Sequence, residues 1–166
     1  IVKDTSVCIN ANPWMDASDR NMYNMLKPGT VTFYRGVAMS WCSYSFVTQC
    51  RSWMPDEIGA LCWFSFENPG QSPRIPLFSG MTQMPSSFDI CGHARYNENA
   101  ALWQYRKANK LAQVKWGFAK KTIYGNVLRY EEKAMREIPV LESQLKELIT
   151  AGKTDEAKNM MNQYSS

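Results

Sequence analysis

Two strand-like runs joined by a proline-containing break constrain the fold of this chain more than any other feature. Residues 44–51 alternate, so that Tyr44 and Phe46 face one way while Gln49 and Arg51 face the other, which is the two-residue period of a β-strand. Residues 60–66 are almost continuously apolar, a pattern typical of a strand buried on both faces. The intervening Trp-Met-Pro-Asp sequence at 53–56 ends the first run. The block 41–66 is therefore predicted to form paired strands.

The sequence on either side of this block divides into three parts. An irregular lead-in at 1–29 holds a short predicted strand at 7–9 and a short helix at 16–26, capped by Asp16 or Ser18. A strand-rich segment at 30–96 adds predicted strands at 30–34, 37–41 and 74–78. Pro73 and Pro76 bound and interrupt the last of these, which indicates an edge strand.

Residues 97–166 form a predicted helical segment. A first helix is expected to start at Asn97 or Asn99 and run to about 120, and a second to span 122–150 with a kink at Pro139. Gly152 should end it, and Thr154 should begin a short last helix. Strands followed by helices predict an α/β (α+β) fold with helices packed on an antiparallel sheet. The three parts together suit one domain or part of a larger one.

Composition excludes several classes of protein. Hydrophobic residues make up 45% and charged residues 20% of the 166, with a net charge of +4, and most predicted helical Lys and Arg lie beside Glu. We therefore expect no nucleic-acid partner. No run approaches the roughly 20 apolar residues of a membrane span, so no membrane contact is expected, and the compartment stays open. No phosphate loop, dinucleotide fingerprint or metal motif occurs, so we expect no cofactor and no metal.

The cysteines do not follow a metal-binding or redox pattern. They number five and are widely spaced, at Cys8, Cys42, Cys50, Cys62 and Cys91. Zinc sites use pairs two to four residues apart, and no such pair exists here. Four of the five lie in apolar or strand-like sequence, so reduced core cysteines are predicted, with one disulfide left open.

Classical catalytic groupings are also weak. The only histidine, His93, follows Cys91 by two residues, but a working Cys–His pair is usually assembled from distant segments. A loop role for both residues is favoured over catalysis. The carboxylates Glu131, Glu137 and Glu142 fall on a predicted helix among Lys and Arg, which is typical of a solvated helix face with local charge pairing.

Gln49 and Arg51 are the most informative polar pair, and we take them as substrate-pocket candidates. Both lie on the same side of a predicted strand, next to its end. A guanidinium in such a place can bind a carboxylate or an oxyanion through two parallel hydrogen bonds. The alternative for Arg51 is an ion pair at the surface or at an interface.

Several motifs together carry a resemblance to a known family. They are SFVTQCRSWMPDEIG at 45–59, CWF at 62–64, GMTQMP at 80–85, AALW at 100–103 and NKLA at 109–112. In this order and spacing they resemble the C-terminal part of a bacterial dipeptidase family of the N-terminal-nucleophile hydrolase superfamily. The resemblance covers roughly residues 30–145, and a long helix that carries glutamates follows in both.

The resemblance implies an αββα layered sandwich and hydrolysis of dipeptide amide bonds. In that family the nucleophile is a cysteine exposed as the first residue by processing, and its own α-amino group acts as the general base. Fixed donors then stabilise the oxyanion that forms when the thiolate attacks the peptide carbonyl.

This sequence departs from the family scheme at its start. Residue 1 is Ile1 and the nearest cysteine is Cys8, so no catalytic residue is assigned. The expectation is the C-terminal segment of such a dipeptidase, inactive by itself, oligomeric, and partnered by the remaining N-terminal portion of the enzyme or another chain. The alternative is a non-catalytic structural or partner-binding domain that retains the fold.

Overall fold

The predicted strand pair supplies two strands of a three-stranded antiparallel sheet. The computed structural model describes residues 15–31, 38–39, 42–92 and 95–166. Strand β1 (Tyr44–Cys50) pairs with β2 (Ala60–Phe66), which pairs with β3 (Ile75–Phe78). The predicted bounds of β2 are confirmed, and those of β1 and β3 are right to within one residue. The strands predicted at 7–9, 30–34 and 37–41 lie wholly or largely outside the described residues.

The two faces of β2 differ in burial, so the prediction of burial on both faces is wrong. Leu61, Trp63 and Ser65 are at most 8% exposed, whereas Cys62, Phe64 and Phe66 are only partly buried. The reason is that, among the described elements, helices cover mainly the face that carries Leu61 and Trp63. A nearly continuous apolar run cannot reveal this difference, because both faces are apolar.

The described residues also form six helices. They are α1 (Ala17–Leu26), α2 (Asp56–Gly59), α3 (Ser86–Asp89), α4 (Ala101–Val114), α5 (Trp116–Thr150) and α6 (Thr154–Ser165). Of the two predicted caps for α1, Asp16 is the one the structure shows, with its Oδ1 accepting the Asp19 N–H at 2.8 Å. Gly152 ends α5 as predicted, because its positive φ of 74° lets the Lys153 N–H donate to the Leu148 carbonyl at 2.9 Å. In the described residues no helix is both long and apolar enough to cross a membrane.

The first long helix differs from its prediction at both ends. It follows Ala100, and Asn97 accepts the Asn99 N–H locally instead of capping the helix. It ends at Val114, about six residues before the predicted end, because Lys115 leaves helical geometry with φ −145° and ψ 66°. Beyond this break, Trp116 is buried with Ala112 in a small apolar cluster. Helix α5 then runs on through Pro139.

The main core lies between the sheet and the C-terminal helices. Its buried members come from α2, β2, β3, α5 and α6, and they are Ile58, Leu61, Trp63, Phe78, Ala134, Ile138, Leu141, Leu145, Ala157 and Met161. Burial of each large apolar side chain stabilises the fold by about 1.5–3 kcal/mol. The helices thus pack on the antiparallel sheet that precedes them, which confirms the predicted α/β layering.

The opposite face of the sheet carries a row of aromatic rings. Phe64 and Phe66 meet edge to face at 5.1 Å between centroids, and Phe88 of α3 stacks on Phe66 at 5.1 Å. Tyr44 stacks on Phe64 at 6.0 Å. Helices α3 and α4 cover the Phe66 end, but Tyr44 and Phe46 remain 58% and 59% exposed. We call this surface, formed by Tyr44, Phe46 and Phe64, the aromatic face.

Gly80 provides a test of the packing between sheet and helices. A Cβ at this position would lie 2.7 Å from the Glu57 carbonyl oxygen and 2.9 Å from Met161 Cε. We expect Gly80→Ala to lower the free energy of unfolding by about 1–3 kcal/mol, measured by urea denaturation. The control is Gly125→Ala in α5, where a Cβ has no neighbour within 4 Å. That change should raise stability by about 0.5–1 kcal/mol, and a loss there as large as at Gly80 would contradict the packing argument.

Candidate active-site region

Arg51 connects the end of β1 to two helices. Its backbone N–H donates to the Gly59 carbonyl at 2.8 Å, which continues the β1–β2 ladder by one bond. Its Nη2 donates to the Ile58 carbonyl at 2.7 Å, and its Nη1 donates to Glu142 Oε1 at 2.5 Å. One side chain therefore holds the 53–59 connection against the long helix α5.

The Arg51–Glu142 ion pair is largely shielded from water. The side chains of Arg51 and Glu142 are 15% and 12% exposed. The ion pair that the sequence left open as an alternative is thus present, but it lies inside the protein rather than on its surface. Arg51 Nε is buried and has no hydrogen-bond partner among the residues that the structure describes. The guanidinium is used mainly by the protein itself, and its contact with a substrate stays a prediction.

Gln49 lies on the same side of β1 as Arg51, as the alternation predicts. Its Oε1 accepts the Trp63 indole N–H at 2.9 Å, which gives a buried Trp a polar partner. The side chain is otherwise exposed, and its amide nitrogen has no partner among the described residues. Gln49 can therefore offer donors to a carbonyl or carboxylate, while Trp63 fixes the orientation of its amide plane.

Two carboxylates of α5 lie in places that the sequence did not predict. Glu142 pairs with Arg51, and Glu131 accepts both the Arg74 backbone N–H at 3.2 Å and its Nη1 at 3.3 Å. The prediction of a solvated face with local pairing is wrong for these two residues. Eleven residues are about three helical turns, so Glu131 and Glu142 share a face. This spacing in the sequence could have indicated that both side chains extend toward the sheet.

The turn after β2 is a second polar feature that the sequence did not reveal. Glu67 adopts a positive φ of 64°, which is uncommon for a residue other than glycine, and its side chain is 4% exposed in an ion pair with Arg106. Asn109 Nδ2 donates to Ser72 Oγ at 3.2 Å in the same buried region. These contacts fasten the 67–74 loop to α4. The Asn-Pro-Gly sequence signalled a turn, but nothing local signals its distant partners.

Tyr105 of α4 lies where this loop meets the aromatic row. Its hydroxyl donates to the Pro73 carbonyl at 3.0 Å, and its ring contacts those of Phe66 and Phe88. Burial, and secondarily the negative charge of Glu131, raises the pKa of Tyr105 to about 12. The phenol is therefore a neutral donor near neutral pH.

The cysteines do not form a nucleophile–base pair within the described residues. Cys42, Cys50, Cys62 and Cys91 are free thiols, and the described hydrogen bonds join none of them to a group that could accept its proton. The prediction of core cysteines is wrong for Cys50 and Cys91, which are exposed. Cys8 and His93 lie outside the described residues. In the parts of the chain described, no group of three His, Cys, Asp or Glu could hold a metal ion.

Comparison with known protein families assigns the chain to one of them. Residues 13–128 match the family model of peptidase family C69. The chain belongs to peptidase family C69. C69 is a family of cysteine-type dipeptidases, so the resemblance based on the motifs is confirmed and peptide hydrolysis is the activity that membership supports. The match includes the sheet, α4, Gln49 and Arg51. No curated protein matches the chain.

The Arg51–Glu142 pair can be tested by a double-mutant cycle. Glu142→Leu leaves a buried guanidinium without its carboxylate, so we expect the free energy of unfolding to fall by about 3 kcal/mol. The double variant Arg51→Met/Glu142→Leu should recover most of that loss, because both buried charges are gone. Glu147→Leu changes an exposed residue of the same helix and should alter stability by less than about 0.5 kcal/mol. A Glu142→Leu loss no larger than this control would show that the pair is not shielded.

The raised pKa of Tyr105 predicts a loss of stability in strong base. Between its ordinary value of 10 and about 12, the unfolded state ionises this phenol while the folded state keeps it protonated. The free energy of unfolding should therefore fall as pH rises through this window, by on the order of 2 kcal/mol from this group. In Tyr105→Phe the slope of unfolding free energy against pH should be shallower. An unchanged slope would mean that Tyr105 ionises alike in both states.

Proposed function

We propose that this chain is the C-terminal segment of a cysteine-type dipeptidase and that it is catalytically incomplete by itself. The observation that carries the proposal is the aromatic face. In the described residues one side of the sheet packs on helices, while Tyr44 and Phe46 on the other side are more than half exposed. Large exposed apolar patches mark surfaces that bind another part of a protein.

A second sheet is the element that fits this surface. Two sheets pack face to face about 10 Å apart, with their apolar side chains interdigitated. The rings of the aromatic face continue a row of stacked rings that helices already cover at Phe66. This is expected of a hydrophobic core whose other side comes from a different part of the protein. In the αββα sandwich that the family resemblance implies, that side is the second sheet, contributed by the rest of the enzyme or by another chain.

The catalytic nucleophile is proposed to come from that remaining part. Cysteine catalysis requires a thiolate, which needs a neighbouring base or positive charge. The four described thiols have no such hydrogen-bonded partner. An attacking cysteine that carries its own α-amino base would supply the missing group, and the substrate class would be dipeptides.

Gln49 and Arg51 point to the side of β1 opposite the aromatic face, so we propose that they form part of the substrate-pocket wall where the pocket reaches the end of this strand, not between the two sheets. The amide donors of Gln49 have no partner in the described part of the chain, and its Oε1 is hydrogen bonded to the aromatic Trp63. Arg51 contributes mainly by holding the strand end through Glu142 and Ile58. We propose that Gln49 binds a polar group of the dipeptide and that Arg51 keeps this end of β1 in place.

The test compares the isolated chain with the native gene product. We expect no release of amino acids, measured by mass spectrometry, when the 166-residue chain is incubated with a panel of dipeptides. The native gene product, characterised by intact mass and N-terminal sequencing, should hydrolyse dipeptides and lose activity when its N-terminal cysteine is changed to serine. Turnover by the isolated chain that disappears in Cys8→Ser or Cys91→Ser would sink the proposal of an incomplete site.

The same preparations separate the proposal from its alternative, a non-catalytic partner-binding domain. Both give an inactive isolated chain that associates in sedimentation experiments, because both need the aromatic face covered. Phe46→Ser should reduce that association, whereas Tyr130→Ser, which changes an exposed ring on α5, should not. A native gene product without any dipeptide turnover would favour the non-catalytic alternative.

A further inference from the structure

The charges of this chain are distributed unevenly. Residues 99–130 contain seven of the 19 Lys and Arg and none of the 15 Asp and Glu. The other residues carry 12 basic against 15 acidic side chains, so the net positive charge comes entirely from this stretch. It comprises α4, the break at Lys115 and the beginning of α5. A charge asymmetry of this size points to an anionic partner.

Much of this positive charge is not neutralised by the protein. Arg106 pairs with Glu67, but Lys107, Lys115, Lys121 and Arg129 are exposed. For these four, no Asp or Glu of the described residues comes within ion-pair distance. Lys115 and Arg129 lie instead over the rings of Phe118 and Tyr130, at 5.4 Å and 5.0 Å from their centroids.

Large apolar side chains are exposed in the same stretch of the chain. Leu111, Val114 and Phe118 are 66%, 84% and 78% exposed. Lys107, Leu111 and Val114 are spaced four and three residues apart, so they share one face of α4, and this face is opposite the buried Ala101 and Ala112. Phe118 follows directly after the break at Lys115. We call this surface, formed by Lys107, Leu111, Val114, Lys115, Phe118, Lys121 and Arg129, the basic arm.

We propose that the basic arm binds the surface of a membrane that contains anionic phospholipids. Lysines on such a surface attract lipid phosphates, while their alkyl stems and the neighbouring Leu111, Val114 and Phe118 enter the boundary between headgroups and acyl chains. A nucleic-acid backbone would use the positive charge but would gain nothing from exposed Leu111 and Val114. The combination of charge and aliphatic surface therefore favours lipid.

This proposal differs from the sequence-based expectation of no membrane contact for a physical reason. That expectation rested on the lack of an apolar run long enough to span a membrane. Peripheral binding needs no spanning helix. The helical lysines between residues 107 and 121 have no glutamate near them in the sequence.

The experiment measures binding of the full chain to sucrose-loaded vesicles by sedimentation. Vesicles consist of phosphatidylcholine alone or with about a third phosphatidylserine. We expect binding that requires phosphatidylserine and weakens strongly as salt is raised, because exposed charges are screened. Each surface lysine contributes about fivefold to such binding. Lys107→Gln/Lys115→Gln/Lys121→Gln should therefore weaken it about a hundredfold.

A matched control separates the basic arm from overall charge. Lys27→Gln/Lys146→Gln/Lys153→Gln removes three exposed lysines outside the arm and should leave vesicle binding within about threefold. Val114→Ser/Phe118→Ser should weaken binding about tenfold at low and high salt alike, because it removes apolar contact and no charge. Circular dichroism verifies that each variant is folded.

Three results would overturn the proposal. The first is equal binding to vesicles with and without phosphatidylserine, which would assign the contact to apolar surface such as the aromatic face. The second is an equal loss in the two triple-lysine variants. The third is tight binding of a fluorescent single-stranded oligonucleotide together with no binding to anionic vesicles, which would assign the arm to nucleic acid.

Discussion

The packing of the C-terminal half of α5 against the sheet is the interaction on which the rest of the structure depends. Leu61 and Trp63 of the sheet meet Ile138, Leu141 and other residues of this helix in one core. The same approach brings Glu142 to Arg51 and Glu131 to Arg74. A buried charge is tolerated when it is paired, so these two ion pairs require the apolar packing and, once formed, fix the register of helix against sheet.

The sequence predicted the parts of this arrangement that local chemistry decides. The bounds of β2 follow from its apolar residues, the start of α1 from Asp16, and the end of α5 from Gly152. The predicted N-cap of α4 was wrong because the Asn97 side chain forms a hydrogen bond within its own turn. The helix break at Lys115 has no glycine or proline to mark it. There Trp116 is buried with Ala112 across the break, a contact that helix propensity alone does not reveal.

The candidate site was predictable only in part, for the same reason. Alternation correctly placed Gln49 and Arg51 on one side of a strand, and the motifs correctly indicated the family. Their partners Trp63 and Glu142 are 14 and 91 residues away in sequence, so no spacing rule links them. The buried turn at Glu67 shows the same limit, because its ion pair with Arg106 spans 39 residues. For these candidate residues, residue type was predictable from the sequence, and long-range pairing was not.

Helix α4 explains how the two proposed surfaces can act at once. Tyr105 faces inward, where its ring meets Phe66 and Phe88 at the covered end of the aromatic row. Lys107 and Leu111 lie on its exposed side. The aromatic face belongs to the sheet and the basic arm to the exposed side of the helices, so the two surfaces share no residue. A dipeptidase completed across its sheet could therefore still bind an anionic membrane through α4 and the start of α5.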